Sequence, residues 1–403
     1  QKDDPSVADE LRVATAPAYE AMVELHAARG EALPALAWLE RSRLHFGRHR
    51  SDPAVTDTVL LARSLAALPA DALVLAWAVL PEHAWLWTLH RDSTTLHRIA
   101  RPATEISALV SRFTNLLRSV QDTAATLRAG RELYALLLGP AEGVLQSSSN
   151  LVLIPDRTLD RVPFAALRDS TNYLVVRHAL RHASDLDHAL AAAQAPPGGR
   201  FSKPLLIGDP AFNAAQFPEL AALRTATSEI EAIRALLPTG TELTAEAATA
   251  SAVRAQLAGK DLFHFAGHAR FREDRPDLSY LVLAPDTTGS TLVARDIARL
   301  DLRNLRLAVL SACATHVTTG ARSGGLGGLS HAFLSAGAGG VLGSLWEVDD
   351  AAAAALMESV YAALAEGVTP AEALQRAQRA AIGSPGNALR SPGAWAAFRY
   401  EGR

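Results

Sequence analysis

The sequence holds one cysteine, Cys313, at the end of an apolar run, LRLAVLSA, that reads as a buried strand. A second such run, DLFHFAG, ends just before His268. A thiol is a strong nucleophile only as thiolate, and imidazole suits the task of taking its proton near neutral pH. Adjacent parallel strands lie about 4.8 Å apart, so two strand ends can bring the groups together. Gly267 precedes His268. A glycine there lets the backbone approach a substrate carbonyl and offer an N–H to the developing oxyanion. The N–H of Cys313 is the second candidate donor. On this reading Cys313 is a nucleophile and His268 its general base. The competing reading is packing, because a lone cysteine after an apolar strand is often an inert small hydrophobe.

His264 stands four residues before His268, which on a helix would resemble a metal pair. Its flanks favour a strand, and no Glu follows His264 directly, so no metal and no cofactor is expected. Packing or hydrogen bonding behind the Cys–His pair suits His264 better. The segment 320–333, GARSGGLGGLSHAF, lacks the Gly-Lys-Ser/Thr of a phosphate loop and reads as a flexible loop feeding a helix. LWEVDD (345–350) places Glu347, Asp349 and Asp350 after another apolar strand. Two readings stand. One or both aspartates cap the alanine-rich helix that follows. Alternatively the trio forms an acidic pocket for a basic substrate side chain.

The positions between these residues alternate strands with helices. Strands are expected at 204–210, 241–244, 261–268, 305–313 and 339–346, and helices at 225–237, 250–258, 328–337 and 350–366. Such alternation implies a mostly parallel sheet covered on both faces, with function at the carboxyl ends of its strands. Earlier in the chain, ALVLAWAVL and AWLWTLHRD read as two strands about a turn at Pro81-Glu82-His83. One long helix is expected from Ala103 to Arg128, then a buried strand at LVLIP. Residues 11–45 read as two helices broken at Gly30, a helical hairpin of tetratricopeptide-repeat length. APPGGR (195–200) is the best linker.

Composition limits the rest. The 403 residues are 49% hydrophobic and 20% charged, as in globular proteins. At roughly 150 residues per domain, two or three units are expected. A net charge of -3 without a basic stripe argues against a nucleic-acid partner. One cysteine excludes an internal disulfide and any multi-cysteine zinc site. The stretch Ala70–Leu89 is interrupted by Asp71, Pro81, Glu82 and His83, too broken for the about 20 residues of a membrane span. The opening QKDDPSVADEL carries no signal-peptide pattern, and a cytoplasmic location is expected.

HFAGHA (264–269), LSACAT (310–315) and GSLWEVDD (343–350), in that order, resemble the CHAT peptidases. These are caspase-like proteins of the clan of separase and the gingipains, commonly joined to tetratricopeptide repeats. LVLIPDRTLDRVPFAAL (151–167) is similar to a segment of that family's first, non-catalytic half. The resemblance implies a caspase-like three-layer α/β sandwich. It divides the chain into a helical hairpin (1–50), a degenerate half (51–195) and a catalytic half (196–403). By position, Cys313 would be the nucleophile, His268 the base, and Asp349 or Asp350, backed by Glu347, the acid facing a basic P1 side chain. The expected activity is that of a cysteine endopeptidase on a protein substrate, such as a pore-forming or otherwise toxic effector. A protein partner would activate it, in bacterial defence or cell death. The alternative is a catalytically silent scaffold of the same fold. One departure stands out: the family's usual Glu-Thr-Gly after the cysteine is here Ala314-Thr315-His316.

Overall fold

The computed structural model describes residues 5–46, 56–119, 123–194, 198–272, 274–312, 328–383 and 389–402. Helices α1 (Pro5–Ala28) and α2 (Ala32–Phe46) form the expected hairpin. Between them Gly30 takes φ +74°, a left-handed conformation open to glycine without strain. After α3 (Thr58–Ala66) come β1 (Ala72–Val79), β2 (Ala84–His90) and β3 (Ser93–Ile99), an antiparallel meander.

The single helix expected over 103–128 is instead two, α4 (Ala103–Ser119) and α5 (Thr123–Leu137). The buried stripe of α4 is Ile106, Val110, Phe113 and Leu117. The buried stripe of α5 includes Leu133, Tyr134 and Leu137. α6 (Glu142–Leu145), β4 (Asn150–Ile154), α7 (Leu174–Arg177), β5 (Ala179–His182) and α8 (Leu186–Ala193) follow.

The remaining chain alternates as expected: β6 (Pro204–Pro210), α9 (Ala226–Leu236), β7 (Thr241–Ala245), α10 (Ala250–Leu257) and β8 (Leu262–Ala266). β9 (Ala269–Arg270), β10 (Tyr280–Asp286) and β11 (Gly289–Val293) build a small separate sheet. Then come α11 (Ala294–Ile297), β12 (Leu307–Ser311), α12 (Leu329–Ser335), β13 (Gly340–Ser344), α13 (Asp350–Ala365), α14 (Pro370–Gly383), α15 (Pro392–Trp395) and β14 (Phe398–Gly402).

Among the described residues, one sheet of 11 strands runs in the order β3-β2-β1-β4-β5-β14-β13-β12-β8-β6-β7. The pairs from β1 to β14 run parallel, as do those from β13 to β7. The β14–β13 pair and the meander are antiparallel. The result is a mixed, largely parallel α/β sheet flanked by helices. Most of its inner strands are apolar because both faces are covered, whereas the edge strands β3 and β7 are polar and partly exposed. β1 shows the rule: Leu73, Leu75, Trp77 and Val79 enter one core, while Ala72, Val74, Ala76 and Ala78 enter the other. The second core includes Val23, Ala27, Leu36 and Leu39 of the hairpin, which lies close over the small side chains. In β8, Leu262 and Ala266 face one core, whereas Phe263 and Phe265 face another built with α10 and α12. No helix among the described residues is long and apolar enough to cross a membrane.

Candidate active site

The carboxyl ends of β13, β12, β8 and β6 stand side by side. The register pairs Leu310 with Gly343, Ser311 with Ala266, and Ala266 with Gly208. In sequence His268 follows Ala266 by two residues, and Cys313 follows Ser311, the last residue of the neighbouring strand, by two. Cys313 and the glycine-rich segment up to Gly327 lie outside the described residues. The approach to Cys313 is held: the Ser344 hydroxyl donates to the carbonyl of Ala312 at 2.9 Å.

His268 is half-buried and fixed on three sides. Its carbonyl accepts from the N–H of Val282 on β10, at 2.8 Å. Phe212 meets its ring edge-on, with centroids 5.3 Å apart at 90°. Its Nε2 lies 2.8 Å from the carbonyl oxygen of Ala221. A carbonyl only accepts, so Nε2 carries the hydrogen. In the neutral ring Nδ1 is therefore the nitrogen with the lone pair. Nothing in the sequence marks Ala221 for this role, because a backbone carbonyl carries no side-chain signature.

The loop that presents Ala221 is itself anchored. Phe217 is buried against Tyr280 at 6.4 Å between centroids. Gln216 Oε1 accepts from the Ser290 hydroxyl at 2.8 Å. Arg270, on β9 just past His268, pairs with Glu219 at 2.6 Å. A hydrogen bond from its own backbone N–H, and then one from Arg270, hold the Glu219 carboxyl below the usual range.

Gly267 has a reason for being glycine that its sequence position does not reveal. A Cβ built there would lie 2.5 Å from the Phe265 ring. His264 is fully buried on the α9–α13 face of β8, with Nδ1 3.0 Å from the Tyr361 hydroxyl and Nε2 3.2 Å from Glu229 Oε1. Among the described residues, no group of three or more His, Cys, Asp or Glu is arranged to hold a metal ion.

The acidic trio divides. Asp349 is the N-cap of α13: its Oδ1 accepts from the N–H groups of Ala351 and Ala352 at 3.1 and 3.2 Å. Glu347 is exposed, and Asp350 is half-buried in the first turn. A fourth carboxylate escaped the sequence reading. Asp209, at the end of β6, adopts φ +43°, where the β6–β7 register slips. It follows Gly208, the partner of Ala266, and so stands beside the strand that leads to His268. A left-handed non-glycine residue at a bulge is a common way to aim a side chain at a site. The sequence offered a hint in Gly208-Asp209-Pro210, a polar residue inside a buried strand.

A family profile described as CHAT domain matches residues 127–403. The chain belongs to the CHAT domain family. Among curated proteins it is similar to tetratricopeptide repeat protein 28 of Homo sapiens, 26% identical over 360 residues, which is 73% of this chain and 14% of that protein. The Mus musculus protein of the same name is 28% identical over 329 residues, 68% of this chain and 13% of that protein. The CHAT chain thus spans about one seventh of the length of these relatives. Its fold is that of a chain in two crystal structures of the Saccharomyces cerevisiae separase–securin complex. They superpose with TM-scores of 0.65 and 0.60 at 10% identity, over 94% of this chain and 34% of that one.

Proposed function

We propose that this CHAT domain chain is a cysteine endopeptidase in which Cys313 and His268 form the dyad. The observation that carries the reading is the hydrogen bond from His268 Nε2 to the Ala221 carbonyl. It leaves Nδ1 as the basic nitrogen, on a strand end beside the one leading to Cys313. The Cys313 thiol gives its proton to Nδ1, and the sulfur attacks the peptide carbonyl carbon. The backbone N–H groups of Gly267 and Cys313 stabilise the oxyanion. The imidazolium then protonates the leaving amine as the C–N bond breaks, giving a thioester. Water, deprotonated by Nδ1, hydrolyses the thioester and restores the thiol.

A basic P1 side chain fits the carboxylates around these strand ends. Asp349 is held by its cap, so Glu347, Asp350 and Asp209 are the stronger contributors to such a pocket. The division into a hairpin (1–50), a non-catalytic half (51–195) and a catalytic half (196–403) belongs to the same reading. So do a cytoplasmic location, an activating protein partner, and a toxic effector as substrate in bacterial defence.

Cleavage of arginyl and lysyl peptides tests the mechanism. Cys313→Ala and His268→Ala should each reduce turnover by a factor on the order of 10³ or more. Turnover that survives Cys313→Ala contradicts it. Failure of the unaltered chain to cleave any peptide, with every candidate activator present, favours the silent scaffold.

A further inference from the structure

On the α9–α13 face of the sheet, one cluster of polar groups is sealed among apolar side chains. His264 is 0% exposed in the middle of β8. Its Nδ1 is 3.0 Å from the Tyr361 hydroxyl on α13, and the rings meet edge-on at 73°. Its Nε2 is 3.2 Å from Oε1 of the buried Glu229, in the first turn of α9. That contact is close but bent from hydrogen-bond alignment, and neither atom has another hydrogen-bond partner among the described residues. Burial, and then the charge of Glu229, push the Tyr361 hydroxyl well above its ordinary pKa, so it stays protonated.

Apolar residues of similar volume would stabilise this core as well or better. What they lack is direction. Apolar packing is non-directional, whereas the His264–Tyr361 hydrogen bond and the close His264–Glu229 contact set one atom against another. The cluster ties together β8, α9 and α13. Two of these set the geometry of the base: His268 lies four residues after His264, and Ala221 lies five residues before α9 begins.

We infer that Glu229, His264 and Tyr361 are positioning residues, which lock β8 against α9 so that the Ala221 carbonyl meets His268 Nε2. The inference rests on His268 being the general base. The double variant Glu229→Leu/His264→Leu removes both members of the charged contact together and leaves only the Tyr361 hydroxyl without its partner. Its readout is nitrogen NMR of the histidine rings in the full chain carrying Cys313→Ala, with His268 assigned by a His268→Gln control. The parent should show the Nε2–H tautomer at His268. The double variant should lose that preference.

With Cys313 restored, kcat should fall about tenfold to a hundredfold at nearly constant KM. A folded double variant with the parent's His268 tautomer overturns the inference. Should that variant fail to fold, Tyr361→Phe removes only the hydroxyl. An unchanged tautomer there overturns it equally. Absence of turnover in the unaltered chain would sink the peptidase reading instead, and the NMR result would stand apart from it.

Discussion

A methyl group at Gly267 would meet the Phe265 ring at 2.5 Å, inside a core that admits little movement. Gly267→Ala should therefore cost about 1–3 kcal/mol, read as a lower thermal midpoint. An unchanged midpoint would mean that Phe265 turns aside freely. Ser344 holds the residue before Cys313 through one hydrogen bond to the Ala312 carbonyl. Its loss in Ser344→Ala should cost about 1 kcal/mol of stability and lower kcat more than it changes KM. Equal loss in both constants would argue against a part in placing the thiol. The positions of His268 and Gly267 at a strand end and the burial of His264 were legible in the sequence, because an apolar run fixes which residues end a strand and which lie inside it. Ala221 and Glu229 were not, since one acts through its backbone and the other sits in an ordinary amphipathic helix. Asp209 became visible only with its φ of +43°.

At the level of elements, the acidic strand end after β13 illustrates how two readings can share three residues. Capping belongs to Asp349, so Asp349→Ala should destabilise α13 by about 1 kcal/mol in a urea titration while leaving P1 preference intact. A switch of P1 preference on that substitution would give Asp349 the pocket as well. Asp185 caps α8 in the same manner, and its carboxyl has a pKa of about 2. Burial works against the charge, but hydrogen bonds and charge from His188, with the Ser184 hydroxyl, outweigh it. A lowered carboxylate pKa contributes stability that is complete above its ordinary value near 3.9 and is lost as pH falls through about 2. Asp185→Asn should thus cost on the order of 2 kcal/mol at pH 6, with the gap to the parent closing below pH ~2. A gap that persists in acid would place the effect elsewhere. β6, β8, β12 and β13 were legible as apolar runs. β14 was not, because Arg399 and Glu401 read as surface residues. The break between α4 and α5 was missed because the apolar spacing continues through Val120 in sequence.

At the scale of the whole molecule, β14 closes the chain by joining β5 to β13, so the early strands and the site-bearing strands form one sheet. The buried Arg399 secures that junction. It donates to the Asp160 carbonyl and carboxylate at 2.8 and 2.9 Å and to Glu401 at 3.3 Å. Arg399→Met leaves Asp160 buried without its cation and should cost about 3–5 kcal/mol in chemical unfolding. A loss below ~1 kcal/mol would show that the strands, not the ion pair, hold the junction. The LVLIPDRTLDRVPFAAL segment pointed to this region by resemblance, but its partner lay 239 residues away, a separation that no local pattern encodes. The central claim, that Cys313 is a nucleophile activated by His268, is tested most directly by mass spectrometry of the chain treated with a peptidyl electrophile bearing arginine at P1. The account predicts one covalent adduct, on Cys313, formed far more slowly in His268→Ala. A chain that stays unlabelled in the presence of its activators, or that labels at the same rate without His268, would contradict it.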